Sequence, residues 1–148
     1  MDGHALTGLY QDQELELRDA AFVSINAKRK SRFETRSLIG KRYSYVYNHF
    51  SDGKNQFNDG NYPGERSLKA MERAARTDPE IKARLDFMYC RTREEVYDLE
   101  KDPHALHNLI DSPAVQSDLA HLRSQMSAVL TQNDDPFAGA YKGFLSQM

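Results

Sequence analysis

Cysteine is nearly missing from this sequence: Cys90 stands alone among 148 residues. No disulfide can form within the chain, and the redox compartment stays undecided. Long apolar runs are missing as well. No stretch approaches a membrane span, and residues 1–20 carry Asp12, Glu14 and Glu16 where a secretion signal would carry its apolar core. An excess of one charge is also lacking. The net charge of −2 gives no global field, so neither nucleic acid nor a membrane surface is expected as a partner. There is no internal repeat, no low-complexity segment, and no P-loop, dinucleotide fingerprint, HExxH, GxSxG or zinc-ribbon pattern. What is present is an ordinary globular balance, 28% charged and 39% apolar, in a chain long enough for one domain with a modest core.

Residues 1–19 are polar, with Asp2-Gly3 as a turn and Leu6, Leu9 and Tyr10 as a small apolar patch. Ala20 to Asn26 is β-prone, and Lys28-Arg29-Lys30 follows as a basic loop. Arg32 to Ile39 reads as a second strand, with Phe33, Thr35, Ser37 and Ile39 on one face. Gly40-Lys41 is a candidate two-residue turn, because glycine accepts the positive φ such turns need. Arg42 to His49 alternates Tyr43, Tyr45 and Tyr47 against Ser44, Val46 and Asn48, which makes strands two and three an antiparallel hairpin. After a turn-rich loop over 51–63, Glu65 to Arg76 and a segment opened by Asp78-Pro79 read as two helices inserted before the fourth strand.

That fourth strand, Glu95 to Leu99, runs into Asp102-Pro103, where proline fixes its own φ and pushes Asp102 out of the helical region. Ser112 then serves as N-cap and Pro113 as first residue of the longest helix, about Ala114 to Thr131. Val115, Leu119, Leu122, Met126, Val129 and Leu130 form its apolar stripe. From Gln132 the chain reads as a loop that frays after Phe137. The sum is α+β: an antiparallel sheet of about four strands, packed on one face by the C-terminal helix. The expected organisation is a unit over 1–137, with the strands and hairpin at 19–49, the insertion at 64–86 and the strand-turn-helix at 95–131, then a tail at 138–148.

Candidate chemistry is thin. Cys90 has Arg91 and Arg93 nearby to lower its pKa, but no positioned base, so a small core residue is the better reading. His104 and His107 could share one face of a turn, yet a metal site needs three or four ligands and no further Cys or His supports them. Lys28, Arg29, Lys30 and Arg32 are the one dense cationic cluster, able to hold a sulfate or a glycan acid, against the commoner solvated loop. Tyr43, Tyr45 and Tyr47 could stack on sugars, although alternating aromatics more often line a core. Read this way, the chain has no self-sufficient active site.

Several motifs, in order, resemble the C-terminal region of sulfatases. Asp2-Gly3-His4-Ala5-Leu6 with Arg18-Asp19 is similar to that family's "DG.SL…RD" segment. The hairpin from Arg36 through Tyr43, Tyr45 and Asn48 is similar to its "R.V.T.RYKYI" strand pair. Glu95-Val96-Tyr97-Asp98-Leu99, Asp102-Pro103 and Asn108-Leu109 are similar to its "ELYDL…DP.E..NL" signature. With Tyr89, Arg91 and Asp135-Pro136-Phe137 added, the pattern most resembles the heparan N-sulfatases (N-sulphoglucosamine sulphohydrolases). The resemblance implies the C-terminal, non-catalytic portion of a hydrolase acting on sulfated glycans or amino-sugars. Its calcium ions and its formylglycine, made from C/S-x-P-x-R, would lie in a separate catalytic domain, the expected partner. Cys90-Arg91-Thr92-Arg93 departs from that motif, so no catalytic or metal-binding residue is expected in this chain. A sulfated saccharide is a second possible partner, through Lys28 to Arg32. Two alternatives stand beside this: a subunit complementing a separately encoded catalytic domain, or a standalone glycan-binding module. Relatives are exported, periplasmic or lysosomal, and no signal segment is read here.

Overall fold

A computed structural model of the chain describes residues 19–28, 32–54 and 66–148, and the side chains at 27, 28, 32 and 33 are outside the description. The readings made on Asp2 to Arg18, on Arg29 and Lys30 and on most of the 51–63 loop therefore lie outside the described residues.

The fold is α+β. Strands β1 (Ala20–Lys28), β2 (Arg32–Gly40), β3 (Tyr43–Asn48) and β4 (Glu94–Asp98) form one sheet in the order β1-β2-β3-β4, with every neighbour antiparallel. Helices α1 (Arg66–Ala74) and α2 (Pro79–Tyr89) are inserted between β3 and β4. A 3-10 turn, Pro113–Val115, leads into α3 (Gln116–Gln132), and α4 (Ala138–Leu145) follows.

Local chemistry explains most of the boundaries. Asp78 caps α2, its Oδ1 accepting from the backbone N–H groups of Glu80 at 2.9 Å and Ile81 at 3.2 Å. Ser112 Oγ accepts from Ala114 N–H at 3.4 Å, and Pro113 occupies the first helical position, where its missing N–H costs nothing. The hairpin turn falls one residue later than the sequence suggests. Gly40 ends β2 opposite Ala20, and Lys41-Arg42 makes the turn. Gly40 does not have a positive φ, and a Cβ there would meet only Tyr43 O at 3.5 Å and Asp19 O at 3.6 Å, ordinary contacts. Any small residue would serve.

Register decides which side chains face the helices. The pairs Leu38↔Tyr45, Arg36↔Tyr47 and Tyr45↔Val96 set Arg36, Leu38, Tyr45, Tyr47 and Val96 on one face. Val115, Leu119, Leu122, Met126 and Leu130 of the α3 stripe pack onto it, all buried, with Val129 half-buried beside them. Each such fully buried aliphatic side chain contributes about 1.5–3 kcal/mol. The odd-numbered face of β2, Thr35, Ser37 and Ile39, is turned away from α3.

The C-terminus departs from expectation. In place of a loop that frays after Phe137, α4 packs Tyr141 into the core with no exposed surface. Residues 138–145 contain two glycines and little intrinsic helix preference, so tertiary contact decides their state. Tyr141 and Phe144, one turn apart, both pack against Tyr47, with ring centroids 4.7 and 5.5 Å away.

An ion pair anchors this end. Arg36, 1% exposed, donates from Nε to Asp135 Oδ2 at 2.7 Å and from Nη1 to the carbonyls of Thr35 at 3.0 Å and Ile25 at 3.2 Å. Asp135 Oδ1 in turn accepts from Phe137 N–H at 2.9 Å, setting the entry to α4. Removing one partner strands a buried charge, whereas removing both does not. Asp135→Ala is therefore expected to cost about 3 kcal/mol in urea unfolding, with much of it recovered by adding Arg36→Met. A single substitution within about 0.5 kcal/mol of the parent chain contradicts the assignment.

Candidate functional site

Six carboxylates or amides in or next to the central strands, Glu94, Glu95, Asn48, Asp98, Asp102 and Asn108, organise the polar interior. Glu94 and Glu95 are adjacent on β4, point to opposite faces of the sheet, and are 5% and 0% exposed. On the α3 side, Arg123 holds Glu94 in a two-point grip, Nε to Oε1 at 2.8 Å and Nη2 to Oε2 at 2.6 Å. Tyr45 donates its hydroxyl to Glu94 Oε1 at 2.5 Å, and the Tyr141 hydroxyl lies 2.7 Å from that of Tyr45. Burial first, then the charge and phenol around it, pushes the Tyr45 pKa far above the ordinary phenol value, so it stays a neutral donor.

On the opposite face Glu95 Oε1 accepts from Asn48 Nδ2 at 2.7 Å and faces Arg91 Nε at 3.2 Å, while Oε2 accepts from the Tyr97 hydroxyl at 2.7 Å. Asn48 also donates to Thr92 O at 2.8 Å and accepts from Thr35 Oγ1 at 3.0 Å. Asp98 is held by Arg42 Nη2 at 3.0 Å. Burial alone would raise its pKa, but the Arg42 hydrogen bond and charge, with the backbone N–H groups of Lys101 and Glu100, bring it below the usual value. Asp102 Oδ2 accepts from His107 N–H at 2.7 Å, closing a turn in which Ala105 has φ 49°. Asn108 Oδ1 accepts from Val96 N–H at 2.9 Å and Ile110 N–H at 3.1 Å, while Leu109 N–H donates to Val96 O at 2.8 Å. Pro103 is exposed and Leu109 is half-buried against the core.

Arg36, Tyr45, Asn48, Tyr97, Asp98, Asp102 and Asn108 therefore sit in hydrogen-bonded networks inside the unit. Tyr43, half-buried, donates its hydroxyl to Asp118 at 3.0 Å beneath the Arg42 guanidinium, 4.7 Å from the ring. With Tyr45 and Tyr47 buried, this row of tyrosines offers no open stacking platform. Lys28 closes β1 and Arg32 opens β2, but their side chains, with Arg29 and Lys30, lie outside the described residues. Cys90 is half-buried at the end of α2, not enclosed in the core, with Sγ 3.8 Å from Lys54 O. His104 and His107 are exposed, and His107 Nδ1 lies 3.4 Å from Asp102. Among the described residues no group of three or more His, Cys, Asp or Glu side chains could hold a metal ion.

Sequence reasoning missed Arg123 and Tyr141. The signal was present for Arg123, a charged residue directly after Leu122 at the edge of the apolar stripe. It also missed the cluster around His49. There the His49 ring lies 4.5 Å from Phe137, Nδ1 is 3.2 Å from the Tyr47 hydroxyl, and Arg93 donates to His49 O at 2.7 Å. An open groove of about 500 Å³ lies elsewhere, between α2 and the turn after β4, lined by Glu80, Ala83, Arg84, Phe87, Leu106 and His107.

Burial first, then the nearby Arg93, lowers the His49 pKa from its ordinary 6.5. The unfolded chain thus binds this proton more readily than the folded one, and acid favours unfolding. Stability contributed by neutral His49 is complete above about pH 6.5 and is lost as pH falls from there through the lower folded-state value. His49→Gln is expected to flatten the stability profile below pH 6.5, measured by urea titration at a series of pH values. An unchanged slope contradicts the assignment.

No protein-family model matches the chain, and no curated protein does. Solved structures do. A 2-O GAG sulfatase superposes with a TM-score of 0.58 at 17% identity, over 93% of this chain and 22% of its own. A protein of Bacteroides thetaiotaomicron VPI-5482 classed as a sulfatase superposes with a TM-score of 0.59 at 16% identity, over the same shares. The chain thus spans about a fifth of the length of these structures. At this identity the likeness is one of fold: the chain has the fold of a part of sulfatase structures.

Proposed function

We propose that this chain is the C-terminal, non-catalytic portion of a sulfatase-family hydrolase. The complete enzyme would hydrolyse sulfate esters or N-sulfates on glycans or amino-sugars, and the motif pattern favours the N-sulfoglucosamine class. The observation that carries the reading is the superposition of 93% of the chain on sulfatase structures otherwise remote in sequence. The ordered motifs support it, since Arg36, Asn48, Tyr97, Asp98, Asp102 and Asn108 are the residues that tie the unit together internally.

Calcium and formylglycine, which such enzymes use, do not fit the residues here. Cys90 is followed by Arg91, with no proline two residues on, and its Sγ faces a backbone carbonyl. No ligand set surrounds it among the described residues. The role left to the chain is mechanical: a rigid sheet-and-helix unit supporting a catalytic portion elsewhere. Lys28, Arg29, Lys30 and Arg32 remain the proposed contacts to a sulfated sugar.

The test is turnover of a chromogenic aryl sulfate and of N-sulfated glucosamine in the presence of calcium. The purified chain is expected to be silent. Activity is expected when it is produced together with the polypeptide encoded upstream that carries a C/S-x-P-x-R motif. Turnover by the 148 residues alone would overturn the proposal.

A further inference from the structure

Four cations, Arg66, Lys69, Arg73 and Arg76, are spread along residues 66–76, and only the helix brings them together. At about 100° per residue, Arg66, Lys69 and Arg73 fall within an arc of about 60° on one side of α1. Arg76 follows in the turn that continues the helix, its N–H donating to Arg73 O at 3.3 Å. All four residues are exposed. At the helical rise the row is about 15 Å long. The one carboxylate within residues 66–77, Glu72, accepts from the Tyr89 hydroxyl at 2.9 Å. Among the described residues none of the four cations is in an ion pair.

This arrangement works against the helix that carries it. Arg66 with Lys69, Lys69 with Arg73, and Arg73 with Arg76 are like-charge pairs at i,i+3 or i,i+4 spacing, which destabilise a helix. Arg66 also stands at the positive end of the helix dipole, in a first turn that holds no acidic residue. Packing is done by the opposite side of α1. Leu68 is buried there, Met71 and Ala75 are half-buried, and the helix lies against α2. Nor is the row a sample of a generally basic surface, since the chain has a net charge of −2. Cations gathered against helix stability and left unpaired by the fold are complementary to an anion from outside.

We infer that the exposed side of α1, through Arg66, Lys69, Arg73 and Arg76, is a binding surface for a linear sulfated glycan. A row of charges along one side of a helix fits an anion that repeats along a line. Three of the four are Arg, whose planar guanidinium takes two oxygens of a sulfate or carboxylate at once. A nucleic acid strand fits less well, because this side of α1 has no aromatic side chain on which bases could stack. A membrane surface fits less well too, because the apolar side of the helix is turned to α2 and is not free to enter a bilayer. The choice of a sulfated glycan among linear polyanions rests on the proposed function. The row gives that reading a second contact, in addition to Lys28 to Arg32.

The experiment uses the full chain and, as probe, a size-defined heparin decasaccharide, with binding read by calorimetry at several salt concentrations. Comparison probes are a hyaluronan decasaccharide, a single-stranded DNA of equal charge, and vesicles containing phosphatidylserine. The parent chain should bind heparin most tightly, and less tightly as salt rises. Arg66→Gln/Lys69→Gln/Arg73→Gln/Arg76→Gln should bind it about 30-fold more weakly. That variant should melt at the same temperature or higher, because like-charge repulsion is relieved. If it melts early, acylation of the parent chain decides, with heparin expected to shield Lys69 and to leave Lys101 open. Full binding by the folded variant, or a Lys69 left open in the complex, overturns the surface. Binding lost only on neutralising Lys28, Arg29, Lys30 and Arg32 does the same. Equal or tighter binding of any comparison probe assigns the row to another partner and overturns the inference. The proposed function is read separately, by aryl-sulfate turnover of the chain together with the upstream-encoded polypeptide. Turnover without heparin binding overturns this surface and leaves that reading standing. Heparin binding through α1 without turnover overturns that reading and leaves the surface standing.

Discussion

The constraint on which the rest of this structure depends is the burial of charge on β4. Glu94 and Glu95 lie side by side on a five-residue strand with both faces covered. Alternation sends one carboxylate to each side, so neither can escape to water by a change of register. An unpaired carboxylate in that position would be costly, and each therefore gathers its own partners. Glu94 draws in Arg123 from α3 and Tyr45 from β3, and through Tyr45 it reaches Tyr141 on α4. Glu95 draws in Arg91, Asn48 and Tyr97. Two adjacent residues thus specify how helices, strands and loop meet, where apolar packing alone would tolerate several arrangements.

Arg36 and Asp135 extend the same logic to the C-terminus, across 99 residues of sequence. Among the described residues no buried side-chain nitrogen or oxygen lacks a partner, which a set of networks this dense needs if it is to hold the fold and not loosen it. The proposed mechanical role follows from this. Of its buried charged groups, Arg36, Glu94, Glu95 and Asp98 are each spent on an ion pair within the unit.

The alternating and 3.6-residue patterns made the architecture legible. The β2–β3 hairpin, the α3 stripe, the helical pair between β3 and β4 and the Asp102-Pro103 stop all follow from local preference, to within a residue or two except at the end of α2, which runs on to Tyr89 where the sequence pattern ends the insertion at residue 86. The polar interior was not legible. Arg36 and Asp135 are ordinary surface types until the fold brings them together, and no periodicity announces a partner 99 residues away. Glu94 and Glu95 look like a solvated pair because their burial depends on α3 on one face and on the segment after α2, through Arg91 and Thr92, on the other. The helix at Ala138–Leu145 was hidden for a related reason: its glycines speak against it, and only the seat for Tyr141 between Tyr45 and Tyr47 makes it form. The basic residues at Lys28 to Arg32, prominent in the sequence, fall where the structure gives no side-chain description.

The most direct test of the account is a double-mutant cycle at the Glu94–Arg123 pair, read by equilibrium unfolding in urea. Glu94→Gln or Arg123→Met alone strands the other group in a largely dry site. Each is expected to lose about 2–4 kcal/mol, with the double variant losing clearly less than the sum. Two single variants that each lose less than about 0.5 kcal/mol, and add without coupling, would contradict the claim that buried charge pairing on β4 organises this fold.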